Sequence, residues 1–206
     1  MPVSYAHMWT SLWISLETCD DELMELAGTL DIHRVFPQQT TQDQVDEYRR
    51  LSAEQASGVA IVSTRLRERD YAATVSSYLS VSYDPPTLLV SLFAEARIAH
   101  AVAESGSWAL SILTAEQKGH ANWLASPGNP VEGLLNQVDF RRGPATGNAV
   151  IAGALAYFEV TTTAIHEAAT HLLVVGNVVS MGEDAPWSKD QSPLIHYAGD
   201  YRRLKP

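Results

Sequence analysis

Five hydroxyl side chains, Thr74, Ser76, Ser77, Ser80 and Ser82, fall within nine consecutive residues, interleaved with Val75, Tyr78, Leu79 and Val81. The run halts at Asp84-Pro85-Pro86, and Thr87-Leu88-Leu89-Val90-Ser91-Leu92 follows as an apolar strand with one more serine in it. Core packing alone does not explain so many hydroxyls. A strand of this kind lines a polar ligand, because closely spaced hydroxyls and backbone N–H groups match a guest with alternating donors and acceptors along one side.

Arg97 is the second candidate for chemistry. It opens a short helical pattern after this apolar strand, where its fork of N–H donors and the amides of a first helical turn can hold a phosphate. The alternative is a solvated arginine paired with Glu95 or a neighbour. Arg65, Arg67 and Arg69, with Glu68 and Asp70 between them, read as a solvated hairpin tip before Tyr71.

Other chemistry can be excluded. His166 and His171 are five residues apart, so on a helix at ~100° per residue they would point ~140° away from each other and could not share a metal. The β-branched runs on either side place 166–171 at the tip of a hairpin. His7, His33, His100, His120 and His196 stand singly, and the lone Cys19 cannot build a disulfide or a multi-cysteine zinc site. No Walker loop, Gly-x-Gly-x-x-Gly or Gly-x-Ser-x-Gly occurs, which removes the usual support for phosphoryl transfer and for α/β-hydrolase chemistry.

The 206 residues are 46% apolar and 18% charged, enough for one well-filled domain with an arm. A formal charge of −10 argues against nucleic acid or anionic membrane as partner. A phosphate must therefore be met by local charge. No apolar run approaches the ~20 residues of a membrane helix, and no basic start precedes the first apolar stretch, so a cytoplasmic protein is expected.

The acid is concentrated in residues 1–57, which carry ten Asp and Glu against three arginines. This segment reads as an N-terminal helical extension. Leu12, Leu16, Leu23 and Leu26 share a helical spacing that stops at Gly28; Thr41 caps a second helix whose Val45, Tyr48 and Leu51 share a face, ending near Ser57-Gly58. Such helices bury an apolar stripe on the body or on a second subunit, or form a lid over a pocket.

Residues 58–206 form the body. Short β-rich runs at 59–64, 73–81, 87–92, 108–113, 155–163 and 172–179 are separated by turns and interrupted by helical patterns at 98–105 and 115–125. Several strands with only short helices predict a mainly β fold, an antiparallel closed or nearly closed barrel. Trp108, Trp123, Tyr157 and Phe158 are expected in its core.

The hydroxyl strand, its Asp-Pro-Pro stop and the apolar strand after it resemble the short-chain flavin reductase family, the FMN-binding split barrels. Members typically carry Thr-Ala-Ser-Ser-Phe, then Ser-Val-Ser-x-Asp-Pro-Pro. The likeness covers most of residues 57–204, through Ala125-Ser126-Pro127 and Val175-Gly176-Asn177-Val178 to Gly199-Asp200-Tyr201. It departs at Ala72 for a glycine, Ala96-Arg97-Ile98 for Ser-x-Thr, Ser111 for an asparagine, and Ala169-Thr170-His171 for Gly-Asp-His.

The resemblance implies an antiparallel split β-barrel and a homodimer with flavin in a groove at the subunit interface. It implies hydride transfer from NADH or NADPH to FMN or FAD, with a flavin-dependent oxygenase as a partner. Thr74, Val75, Ser76, Ser77, Ser91 and Arg97 would contact the flavin, and His171 would sit by the nicotinamide as the catalytic residue. One arginine of the 65–69 turn would reach a flavin or nicotinamide phosphate, if the tip has a function. Two other readings stay open: a diverged barrel enzyme performing cyclisation or isomerisation without reductase activity, and a flavin-binding protein without turnover.

Overall fold

The computed structural model describes residues 40–126, 128–130, 132–183 and 191–204. The expected helix through Leu12, Leu16, Leu23 and Leu26 lies outside them, as does Cys19. The chain divides after Asp46. Helix α1 (Gln42–Ser52) begins as its sequence predicts. The Thr41 N–H donates to Gln44 Oε1 at 2.9 Å and the Gln44 N–H to Thr41 Oγ1 at 3.3 Å, a reciprocal cap. Tyr48 and Leu51 of the expected apolar stripe are exposed. The helix stops at Ser52, short of the expected end near Ser57-Gly58, because those two residues form a strand, β1 (Ser57–Gly58), paired with β11 (Leu194–Tyr197).

The body is built on one seven-stranded antiparallel sheet. Its strands are β2 (Ala60–Leu66), β3 (Arg69–Val75), β4 (Tyr78–Tyr83), β5 (Pro86–Phe93), β6 (Ser107–Ile112), β9 (Ala156–Ala168) and β10 (His171–Gly182), in the order β3-β2-β6-β9-β10-β5-β4. A small sheet joins β1, β11 and β12 (Asp200–Arg203), and β7 (Phe140–Arg142) pairs with β8 (Ala149–Ile151).

The outer strands β3 and β4 are separated in the chain only by Ser76 and Ser77. Three Cα steps hold the end of β3 within about 11 Å of the start of β4. The sheet must therefore roll until its two edges face each other, yet no ladder joins them. This is a split antiparallel barrel, and the hydroxyl run sits on the seam. The run 73–81, expected as one strand, is two strands for this reason: the chain leaves one sheet edge and enters the other.

Strand β2 lies inside the sheet and is buried on both faces from Ala60 to Thr64, so its apolar start does not alternate. Ile61 and the preceding Val59 face a cluster with Leu113, Leu135 and Ile151; Ala60 and Val62 face a second with Val90, Trp108, Leu110 and Val160. Helix α2 (Arg97–Ser105) adds Ile98, Ala99 and Val102 to the second cluster. Helix α3 (Lys118–Ala125), entered through a 3-10 turn, adds Ala121 and Leu124 to the first. All four expected core aromatics pack against these clusters or a smaller third one. Trp123 Nε1 donates to the Leu134 carbonyl at 2.8 Å.

A buried carboxylate fastens the β7–β8 hairpin. Glu159 of β9 is inaccessible to solvent and accepts the Thr146 N–H and hydroxyl, each at 2.7 Å, with the Ala145 N–H at 3.1 Å. A Cβ at Gly143 would stand 2.2 Å from its Oε1, so only glycine lets the loop close over it. Burial pushes the Glu159 pKa up, but the bonds from Thr146, Ala145 and Ser180 outweigh it and hold the group below the ordinary carboxylate value.

Candidate functional site

Strand β3 starts the site. It is an edge strand with one hydrogen-bonded neighbour, β2, so alternate N–H and C=O groups along its outer side have no partner in the sheet. Its side chains are small where a ligand would approach, at Ala72 and Ala73. These two alanines, with Tyr71, form one wall of a cavity of about 350 Å³. The start of α2, Ala96, Arg97 and Ile98, also lines it, with Leu124, Ser126 and Asn129.

Arg97 is the first residue of α2. Its Nη2 donates to the Asn129 carbonyl at 2.6 Å, and both residues line the cavity. Arg97 is exposed, and its partner is this carbonyl rather than Glu95. No side chain caps α2 at Ala96, and the Ala99 N–H already donates to the Ala96 carbonyl, so the Arg97 and Ile98 amides and the arginine fork make up the donor set for an anion.

Beyond Arg97 and Tyr71, which line both spaces, a second cavity of about 570 Å³ runs between α2 and the β2–β3 hairpin. Arg67, Arg69, His100 and Glu104 line it. Arg67 pairs with Glu104, Arg69 reaches Glu132 at 3.5 Å, and Arg65 pairs with Glu68, all with at least one exposed partner. Arg67 and Glu68 make the turn with positive φ, so the hairpin tip is narrower than the expected 65–69 turn, and Arg65 and Arg69 belong to its strands.

The hydroxyl residues are distributed over the seam. Thr74, Val75 and Ser76 line a smaller cavity of about 150 Å³ with Ala125, His196 and Tyr201. The Thr74 hydroxyl donates to the Ala121 carbonyl at 2.8 Å and thus serves α3. What Thr74 leaves for a ligand is its backbone. Ser77 is exposed, and its carbonyl accepts the Ser91 N–H at 2.9 Å, which draws these two candidates together.

His171 stands at the base of the β9–β10 hairpin tip, paired across to Ala168, as expected from the β-branched flanks. Its ring is exposed, with Nδ1 3.0 Å from the Thr170 hydroxyl and an edge contact to Phe93 at 5.8 Å. The Ala94 N–H donates to the Thr170 carbonyl at 2.9 Å, three residues before Arg97, so the tip and the start of α2 share one end of the barrel. His171 lines none of the cavities described above.

Ser111, where the family pattern has asparagine, is buried and accepts the Ile151 N–H at 3.1 Å; it is a structural residue. Tyr71, Ala73, Ser126 and Asn129 are the site residues that the sequence did not mark. Their only signal is adjacency, Tyr71 and Ala73 to the hydroxyl run and Ser126 to the 125–127 loop. Among the described residues, no group of three His, Cys, Asp or Glu is placed to hold a metal.

The cavity suits a flavin. Ala72 and Ala73 give it small lining residues, the outer edge of β3 is unpaired in the sheet, and Arg97 adds a guanidinium at the α2 start. Fold and groove together define a split-barrel protein with an arginine-bearing groove beside its edge strand. The chain belongs to the flavin reductase like domain family, whose model matches residues 52–205.

Among its relatives is an NADH-dependent flavin reductase of a Rhodococcus species, 32% identical over 73% of this chain and 81% of the relative. The reductase component of 4-hydroxyphenylacetate 3-monooxygenase from Thermus thermophilus is 28% identical over 77% of this chain and 96% of the relative. Among solved structures, the flavin reductase component of a bacterial two-component tryptophan halogenase superposes with a TM-score of 0.72. It is 28% identical and covers 79% of this chain and 99% of that one.

Proposed function

We propose that the protein is an NAD(P)H:flavin oxidoreductase that passes reduced flavin to a partner oxygenase. The observation that carries this reading is the groove along β3, lined by Ala72, Ala73 and Arg97 at the start of α2. A flavin held there by Arg97 and the edge of β3 would supply the acceptor for hydride from the nicotinamide. The chain's own work is modest: it orients two flat rings at about 3–3.5 Å and keeps bulk water from between them.

In this reading Arg97 and the first turn of α2 hold the phosphate. The backbone of Thr74 and Val75, with Ser76 and Ser77, meets the pyrimidine edge and ribityl chain, and Ser91 holds Ser77 in place through its N–H. His171, at the same end of the barrel as Arg97, contacts the nicotinamide. No side-chain nucleophile is required.

The protein works in the cytoplasm and, as the family likeness implies, as a homodimer. Support for a second copy comes from an apolar cavity of about 290 Å³ lined by Tyr83, Leu88, Phe158, Val178 and Met181, with Leu79, Val81 and Val179 also exposed. The oxygenase partner rests on relatives that are reductase components of such systems.

The test is a visible spectrum of the purified protein with FMN or FAD, before and after NADH or NADPH. Flavin bands that survive gel filtration and bleach on addition of the nicotinamide are expected. A colourless protein whose melting temperature neither flavin raises would overturn the reading, because a ligand of the folded state must stabilise it by mass action.

A further inference from the structure

We propose that the 570 Å³ cavity beyond Arg97 is a subsite for the adenylate half of FAD, so that this chain prefers FAD to FMN. The inference rests on the reductase reading and deepens it. Arg97 and Tyr71 line both cavities, so a ligand whose first phosphate lies at Arg97 needs only one further step to enter the second space. The two phosphates of FAD share a bridging oxygen and make that step.

The lining has the matching charge. Arg67, Arg69 and Arg97 face one carboxylate, Glu104, in a chain whose formal charge is −10. This is a local reversal of sign, as a phosphate in an acidic protein requires. The arginines of the tip are held by exposed partners, Glu104 for Arg67 and Glu132 for Arg69. Exposed pairs of this kind are weak, and their guanidinium groups are available to a diphosphate that binds both. Leu66, Tyr71 and Ala101 supply the apolar surface that an adenine ring needs, and His100 adds a polar ring beside it. The volume lies within the ~300–1,000 Å³ of small-molecule sites.

The arginines at 67 and 69 thereby gain a role that a solvated turn does not explain. FMN, which lacks the second phosphate and the adenosine, would fill the first cavity alone.

The experiment compares dissociation constants of FAD and FMN, read by flavin fluorescence, for the full-length protein and for the Arg67→Ala/Arg69→Ala variant. The wild type is expected to bind FAD about tenfold more tightly than FMN, and the variant to lose that preference while FMN affinity stays within about twofold. Raising the salt should erode FAD binding more than FMN binding, because the tip arginines are exposed. Equal affinities in the wild type, or equal weakening of both flavins in the variant, would sink the inference while leaving the reductase reading in place. A raised KM for NADPH or NADH with unchanged FAD affinity would assign the cavity to the nicotinamide nucleotide and overturn it likewise. Binding of neither flavin to the wild type would remove both readings.

Discussion

The hydroxyl of Thr74 donates to the carbonyl of Ala121 at 2.8 Å, tying the edge strand β3 to helix α3. The side chain that opens the ligand-lining run is thus committed to the fold. Thr74→Val keeps the shape and removes the donor, leaving the carbonyl short of a partner. A loss of about 1 kcal/mol is expected, a fall in Tm of about 2–4 °C for a domain of this size. Flavin affinity should change less than about threefold, since only the backbone at this position faces a ligand. Thermal melts and a flavin titration on the same samples check both halves.

Arg97→Ala removes the guanidinium that lines the groove. FMN affinity should fall by one to two powers of ten, as for the loss of a charge-assisted phosphate contact. Riboflavin, which carries no phosphate, should bind wild type and variant alike. Isothermal titration with both ligands decides it; an equal loss for riboflavin would mean that the arginine shapes the groove and does not read the phosphate.

Gly58 of β1 and Tyr78 of β4 meet. A Cβ at Gly58 would stand 2.6 Å from the Tyr78 hydroxyl, whose pKa burial already pushes up. Gly58→Ala should cost about 1–3 kcal/mol, the usual penalty of overpacking. In the Gly58→Ala/Tyr78→Phe double variant the obstructing oxygen is gone, and most of that loss should return. A denaturation cycle over the four proteins measures the coupling.

Glu159 gives the fold an acid limit. Its pKa is lowered in the folded state, so its contribution is complete above the unfolded value of 4.5 and is lost as pH falls through the folded value. Urea midpoints measured from pH 7 down to pH 3 should drop below about pH 4.5 in the wild type. In Glu159→Gln the amide presents a donor to the Ala145 and Thr146 N–H groups. That variant should be weaker by about 1–3 kcal/mol at pH 7 and show a shallower acid limb.

The fold class, the two helical inserts and most strands were legible because periodicity and turn residues report local structure directly. The break at Ser76-Ser77 was not. Val75, Tyr78, Leu79 and Val81 have full β propensity, and only the pairing of β3 with β2 and of β4 with β5 splits the run. The end of α1 was missed for the same reason, since Ser57-Gly58 becomes a strand only through its distant partner β11. Arg97 could be singled out by type and position, but not its hold on the Asn129 carbonyl, which lies 32 residues away in the chain. Glu159 gave no signal at all: an acid in a β-branched run reads as a solvent-facing position, and its donors come from a loop 13 and 14 residues earlier.

The passage from one sheet edge to the other through Ser76 and Ser77 makes the mouth of the molecule a matter of tether length. Two residues act there as a drawstring, and no hydrogen-bonded zipper stands behind it. A pair of glycines spliced between these serines would slacken the string, let the rims gape and expose two raw strand borders to neighbouring molecules.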